Sequence, residues 1–499
     1  MKAEGNIDRH GGFGLKKDVV IIGGGVVGCG VARLLSAYEV SVVLLERGAD
    51  VAEGASKANS GIVHAGFDAK PSSLKAKLNV RGAEMYEDLC RDLSVPYGSP
   101  GALVLAFAEE DRSTIAELLR QGQENGVPGL EILEREAILA LEPNANPEVV
   151  CALHVPTSGI TSPYELTFAL ADHAAVNGVD FRLETEVVRV EKSAVGFLVQ
   201  TEDENIEAKI VINCAGVESA KVHNFLSEEK LTIIPRKGEY YLFDHEYPLP
   251  FTKTMFQTPT KMGKGVLISP TVHGNILLGP TATDIADGLD VSTTAEALTE
   301  ALTAAKKTWP TVSLRGVITT FAGVRAHETE GDFVVGGVAG APGAYETVGI
   351  ESPGLTAAPA IAELLCELIA TENGLAKKAE WKPALKRKKA FSAMTLEERS
   401  HAVTENPEYG GVVCRCEEVT EAEIREAIRR PVGAKNIDGV KRRTRAGMGR
   451  CQGGFCSPRV LEILAEELNV SPLKVTKGGG KSVLLVDTIE NAMKKGGAQ

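Results

Sequence analysis

The stretch Asp18-Val-Val-Ile-Ile22-Gly23-Gly24-Gly25-Val-Val-Gly28 decides how the chain is read. Residues 18–22 form a short apolar run of the kind that makes a buried strand. Gly23, Gly25 and Gly28 then fit the spacing G-x-G-x-x-G. A helical pattern follows through Ala32, Leu34 and Leu35, and residues 40–45 make a second β-rich run that ends in Glu46. This is a βαβ unit of about thirty residues, with its acid where a ribose hydroxyl would meet it. The glycines permit a tight turn and let a helix N-terminus approach a pyrophosphate. A glycine motif by itself is weak, and its bland reading is a glycine-rich turn in an unrelated fold. The strand before, the helix after and the acid beyond make dinucleotide binding the specific reading.

Two further stretches favour FAD over NAD. Residues 209–213 read as a strand leading into a second tight turn, Cys214-Ala215-Gly216. Far downstream, residues 349–360 contain Ser352-Pro353-Gly354 and run into an apolar helix over 361–369. A second helix N-terminus reached from a loop suits an electron-rich flavin edge.

Nine cysteines divide into two groups. Cys29, Cys90, Cys151, Cys214 and Cys366 are scattered among apolar or small residues and read as buried small hydrophobes. The other four are close pairs near the C-terminus, Cys414-Arg-Cys416 and Cys451-Gln-Gly-Gly-Phe-Cys456. Two thiol pairs point to metal. Zinc ribbons favour Cys-x2-Cys knuckles, whereas gaps of one and four residues suit iron–sulfur ligation better; zinc and no metal are the alternatives. Lys441, Arg442, Arg443, Arg445 and Arg450 crowd the approach to Cys451, where cations would favour thiolates. Ser457-Pro458 reads as an N-cap followed by proline, opening a helix through Val460, Leu461, Ile463 and Leu464. Cys456 would then sit at the positive end of that helix, and the glycines at 447, 449, 453 and 454 would let amides approach the sulfurs.

Composition narrows the function classes. The 499 residues are 43% hydrophobic and 24% charged, which excludes disorder as the main state. A formal charge of −13 argues against a nucleic-acid binder. The run over 19–32 is too short and glycine-rich to span a bilayer, so no transmembrane segment is expected. The first residues hold charges and glycines with no apolar signal core, so the chain is read as not exported.

These motifs carry a resemblance. Gly23 to Gly28 with Glu46, Gly54-Ala-Ser56-Lys-Ala-Asn-Ser60-Gly-Ile-Val-His64, and Asn213-Cys-Ala-Gly216 together resemble the D-amino-acid-oxidase-like FAD oxidoreductases. The subgroup most resembled holds flavin glycerol-3-phosphate dehydrogenases and oxidases, with L-2-hydroxyglutarate oxidases as near relatives. The four cysteines, with Arg445-Ala-Gly-Met-Gly-Arg450, resemble the small 2Fe–2S domain of bacterioferritin-associated-ferredoxin type. That domain is fused to anaerobic glycerol-3-phosphate dehydrogenase subunits.

The resemblance implies an α/β fold: an FAD-binding Rossmann-like domain, an antiparallel-sheet substrate domain, and a small C-terminal α-rich 2Fe–2S domain. The flavin unit would span 17–380, with nucleotide-binding parts at about 17–95, 150–235 and 320–380 and a cap at about 96–149 and 236–319. A linker over 381–410, the cluster domain over 411–475 and a tail over 476–499 would follow. Cap strands are expected over 101–106, 237–243, 265–269 and 276–279, and Thr420 to Glu423 is a capping box opening a helix.

It also implies roles. Gly23, Gly25, Gly28, Glu46, Ser56, Ser60, Gly216 and Gly354 would hold FAD, and Cys414, Cys416, Cys451 and Cys456 the cluster. His64 is the natural proton acceptor, Arg325 the substrate anion's fork, Lys264 a second cation with Lys261 as rival, and Ser352 a donor to flavin or substrate. His327, His273 and Lys237 are weaker candidates. The bland readings are a core histidine and surface lysines.

The expected reaction is oxidation of sn-glycerol 3-phosphate to dihydroxyacetone phosphate. Oxidation of L-2-hydroxyglutarate or another 2-hydroxy acid is the alternative, since one arginine would bind phosphate or carboxylate. A non-catalytic electron-transfer subunit is the alternative from another class. Expected partners are a small anionic substrate and an electron-accepting protein subunit or quinone-linked partner. The expected location is the cytoplasm, with contact to the inner membrane through a partner.

Overall fold

The computed structural model describes residues 15–259, 265–487, 489 and 491. Its first sheet is organised around the strand Leu15–Ile22, which pairs in parallel with Val42–Leu45 on one side and Asn205–Asn213 on the other. Asp180–Arg182 and Ala344–Val348 extend the parallel order outward. Both faces of such a sheet are covered, which is why its strands read as unbroken apolar runs. The side chains alternate accordingly. Val19 and Ile21 pack against the helices Val26–Leu35, Pro163–Val176 and Gly354–Glu372, while Val20 and Ile22 pack on the opposite face with Val222 and Leu226. An antiparallel meander, Val187–Ser193 and Gly196–Thr201, pairs with the first half of Asn205–Asn213.

The second sheet is antiparallel except where Thr254–Gln257 lies parallel to Ala102–Ala106. Its longest pairing runs from Ile233 opposite Glu328 to Phe243 opposite Val317. The expected cap strands are present as Ala102–Ala106, Ile233–Phe243, Leu267–Pro270 and Ile276–Gly279. The strands Cys151–Val155 and Val317–Glu328 also pair in this sheet, although sequence put residues from about 150 and about 320 in the nucleotide-binding part. Their partners lie far away in sequence, so local pattern could not assign them.

The C-terminal part is α-rich. The helices Glu421–Arg429, Ile437–Thr444 and Ser457–Leu468 enclose Ile424, Val440, Ile463 and Leu464. The capping box forms, with the Thr420 and Glu423 amides each donating to the other residue's side chain. The helix Ser457–Leu468 starts one residue earlier than expected. Cys456, not Ser457, is its N-cap, so this cysteine itself stands at the positive helix end. Residues 381–410 hold the short helix Leu396–Glu405, and Trp381 ties them back by stacking on His173 and donating to Ser36 Oγ at 3.0 Å. Among the described residues Gly354–Glu372 is the one helix long and apolar enough to cross a membrane, and most of it is buried in the core against the first sheet.

Candidate active site

A cavity of about 1210 Å³ opens between the two sheets. That is roomier than a pocket for one small ligand, typically about 300–1,000 Å³. Gly23, Gly25, Glu46, Ser56, Ser60, His64, Gly216, Arg325, Ser352 and Gly354 all line it, although they come from segments scattered between residues 23 and 354. Gly28 stands behind the wall. A Cβ there would lie 2.0 Å from the Gly23 carbonyl oxygen, so its lack of a side chain lets the turn close. Gly23 has φ +109°, and a Cβ on it would lie 2.3 Å from the Cys214 carbonyl oxygen. The two tight turns seen in sequence are therefore pressed against each other.

The nucleotide end is built on amides. Glu46 Oε2 accepts from the Gly24 amide at 2.7 Å and its Oε1 from the Gly48 amide at 2.7 Å. Burial pushes the Glu46 carboxyl up, and these two amides pull it back. Ser56 Oγ accepts from the Val26 amide at 2.9 Å, covering one of the free N–H groups of the helix Val26–Leu35. The loop carrying Ser56 and Ser60 is thereby sealed onto the helix end that faces the cavity.

His64 lies beyond the short strand Ile62–Val63 and is buried. Its amide donates to Thr356 Oγ1 at 2.8 Å, and its ring faces Phe256 at 5.8 Å between centroids. Asn79, turned so that both ends of its amide are satisfied, donates to the His64 carbonyl at 3.1 Å. Arg325 stands on the long cap strand opposite Arg236, and its Nη2 donates to the Thr281 carbonyl at 2.9 Å. Arg236 is forked to Asp284 at 2.6 and 3.2 Å. Ser352 precedes the helix that begins at Gly354, and Glu351 beside it accepts from Lys75 Nζ at 3.2 Å and faces His327 Nδ1 at 3.1 Å.

Lys75, Glu351 and Gly323, which also line the cavity, were not singled out from sequence. A Cβ at Gly323 would lie 1.9 Å from the Ala58 carbonyl oxygen, so this glycine lets the cap strand meet the loop that carries Ser56 and Ser60. Their partners lie far away in the chain: Lys75 meets Glu351, and Gly323 meets Ala58. Two weaker candidates have structural partners away from the cavity wall. His273 Nε2 pairs with Glu165 at 2.7 Å, and Lys237 donates to Asp290 at 2.7 Å. Lys264 and Lys261 lie outside the described residues.

The four clustered cysteines stand as two thiol pairs. Cys416 and Cys451 are 3.5 Å apart at sulfur, and the Cys414 and Cys456 thiols influence each other. Two irons with two thiolates each fit this arrangement. The Cys456 thiol, with the amides of Gly447 and Glu417, holds Cys414 down to about 6, and Cys456 rises in turn. Burial opposes ionisation of Cys451, but the amides of Phe455 and Gly453 and the Cys416 thiol bring it down. Glycine-loop amides thus reach the sulfurs as expected. The five scattered cysteines are all buried.

The basic run behaves differently from the sequence reading. Arg443 and Arg442 are buried against Asp50 and Glu53, on the loop beyond Glu46. Arg445 pairs with Glu417 at 2.7 Å and donates to Asn275 at 3.0 Å, and Arg450 pairs with Glu246 and Asp244. Carboxylates rather than sulfurs are their main partners. Burial lowers the Lys441 ammonium, while Asp438 and, more weakly, Cys456 act the other way.

Comparison with known proteins agrees with this geometry. Residues 18–368 match the family model described as FAD dependent oxidoreductase, and residues 412–466 match the BFD-like [2Fe-2S] binding domain. The chain is 45% identical over 469 residues to a glycerol 3-phosphate dehydrogenase of Caloramator mitchellensis, covering 94% of this chain and 98% of that protein. It is 34% identical to a glycerol 3-phosphate oxidase of Mycoplasma genitalium, covering 73% of this chain and 97% of that one. Its fold is similar to the dithionite-reduced L-α-glycerophosphate oxidase from Mycoplasma pneumoniae with FAD bound, at TM-score 0.72 and 31% identity over 75% of this chain and 99% of that one. The cavity thus fits FAD and the thiol pairs fit a [2Fe–2S] cluster.

Proposed function

This chain belongs to the FAD-dependent oxidoreductase family and carries a [2Fe–2S] domain, and from that premise we propose that it oxidises sn-glycerol 3-phosphate to dihydroxyacetone phosphate. The observation that carries the reading is the 45% identity to a glycerol 3-phosphate dehydrogenase, which spans both domains at once. Oxidation at C2 removes a hydride from carbon and a proton from the hydroxyl. FAD supplies a two-electron acceptor there, and a [2Fe–2S] cluster passes electrons on singly.

The residues of the cavity divide the remaining work. His64 takes the hydroxyl proton, imidazole being the side chain that exchanges protons near neutrality. Its backbone is fixed from two sides, by Thr356 and Asn79, so the ring is held in place. Arg325 has donors beyond the one engaged by Thr281 and forks the phosphate. Ser352 donates from the loop that Lys75 and His327 anchor through Glu351. Gly23, Gly25, Gly28, Glu46, Ser56, Ser60, Gly216 and Gly354 hold FAD, and Cys414, Cys416, Cys451 and Cys456 hold the cluster. Electrons leave to a protein subunit or a quinone-linked partner, in the cytoplasm or at the inner membrane face through that partner.

Anaerobic titration tests the reading. Glycerol 3-phosphate should bleach the yellow flavin band, and L-2-hydroxyglutarate and lactate should not. Arg325→Ala should lower kcat/KM about 100-fold, as expected for a charge-assisted fork worth about 3 kcal/mol. Bleaching by the hydroxy acid alone would replace the substrate class, and no bleaching by any of the three would favour a relay subunit.

A further inference from the structure

The seam between the cysteine-bearing domain and the flavin domain is charged and buried. Asp50 is 1% exposed and lies just past Glu46, on the loop that leads to Ser56. Arg443 forks it from the helix Ile437–Thr444, with Nη1 at 2.6 Å from Oδ2 and Nη2 at 2.8 Å from Oδ1. The same guanidinium donates to the Val432 carbonyl at 2.7 Å and lies 3.8 Å from the centre of the Phe168 ring. Arg442 reaches Asp50 at 3.3 Å and pairs with Glu53.

This loop touches the nucleotide site at three points. The Ala52 amide donates to the Gly24 carbonyl at 2.9 Å, inside the glycine turn. Ala52 itself is held at φ 62°, a conformation that a non-glycine residue keeps only when its surroundings impose it. Glu53 lines the cavity and pairs with Lys57, which also lines it. Ser56 caps the helix Val26–Leu35 as described. The arginines on one side and the glycine turn on the other thus fix one short segment between them.

A carboxylate this deeply buried is tolerated only while its counter-charge is in place. Without Arg443 and Arg442, Asp50 would turn towards water. Ala52 would then leave Gly24, and Ser56 would leave the helix end. We propose that Arg443, with Arg442, is a positioning residue for FAD: the seated cysteine-bearing domain holds loop 50–57 in the form that binds the cofactor. Flavin is then retained only while its electron outlet is docked. Linkage makes the coupling reciprocal, so bound FAD also holds the domain in its seat.

Two measurements on the full-length protein test this. Arg443→Met should bind FAD at least tenfold more weakly in ultrafiltration, with iron content and circular dichroism unchanged, and Arg443→Lys should fall between it and the parent. FAD added back to flavin-stripped parent protein should slow tryptic cleavage in the lysine-rich segment 386–389 severalfold. Parent-like FAD affinity in folded Arg443→Met would overturn the proposal. If that variant does not fold, parent-like affinity in Arg443→Lys would do the same. Cleavage at equal rates with and without FAD would also overturn it.

Discussion

The polar groups at the nucleotide end of the flavin cavity and those of the seam beside it are satisfied in opposite ways. At the nucleotide end the partners are main-chain amides close to a glycine: Glu46 accepts from Gly24 and Gly48, and Ser56 accepts from Val26. Along the seam the partners are charged side chains remote in sequence, as in Asp50 with Arg443, Asp172 with Arg430, and Glu165 with Arg387. An acceptor resting on amides can change partners when a ligand arrives. A buried charge pair cannot, because removing either member strands the other. The difference separates groups that wait for a cofactor from groups that keep domains together.

The largest break falls on the cavity side. Gly23→Val would place side-chain atoms into the Cys214 carbonyl and force φ +109° on a β-branched residue. The purified variant should carry no flavin absorbance while keeping its iron. Full flavin occupancy would show that the turn is not what the cofactor needs. Next comes Cys451→Ser, which removes one member of the exposed-side thiol pair. Substrate should still bleach the flavin, with a rate within about twofold of the parent, while reduction of an external acceptor should drop to background. If bleaching were lost from a folded variant, electron entry and exit would not be separable as proposed.

The same contrast explains what sequence could tell. Gly23, Gly25, Gly28 and Glu46 were legible because a turn, a helix end and an acid must follow one another closely to hold a dinucleotide. The strands over 19–22 and 42–45 were legible because parallel strands are buried on both faces. The cysteine pairs were legible because ligand spacing is local. The seam was not. Arg442 and Arg443 read as cations near sulfur, since nothing around them points to Asp50, 393 residues from Arg443 in the chain. The Lys75–Glu351 contact joins residues 276 apart and was equally hidden. Cys151–Val155 joined the second sheet through Ala102–Ala106 and Glu131–Glu134, a pairing decided by topology and not by its own pattern.

The smallest expected effect sharpens the comparison from the seam side, at Glu165. Burial pushes this carboxyl up, but the hydrogen bond with His273 and the charge of Arg387 override it and hold it at about 2, against an ordinary 4.5. A depressed value in the folded chain means that the unfolded chain takes up the proton first as pH falls. The stabilisation is therefore complete above pH 4.5 and disappears as pH drops towards 2. Glu165→Gln should melt several degrees lower than the parent at pH 7, reflecting at most on the order of 3 kcal/mol. The gap should narrow steadily in melts taken from pH 4.5 down to pH 3. Flavin content should not change at neutral pH, because Glu165 pairs with a cap turn and the 381–410 segment and does not line the cavity. No gap at pH 7, with the isosteric glutamine in place, would mean that Glu165 holds these segments by its shape and not by its charge.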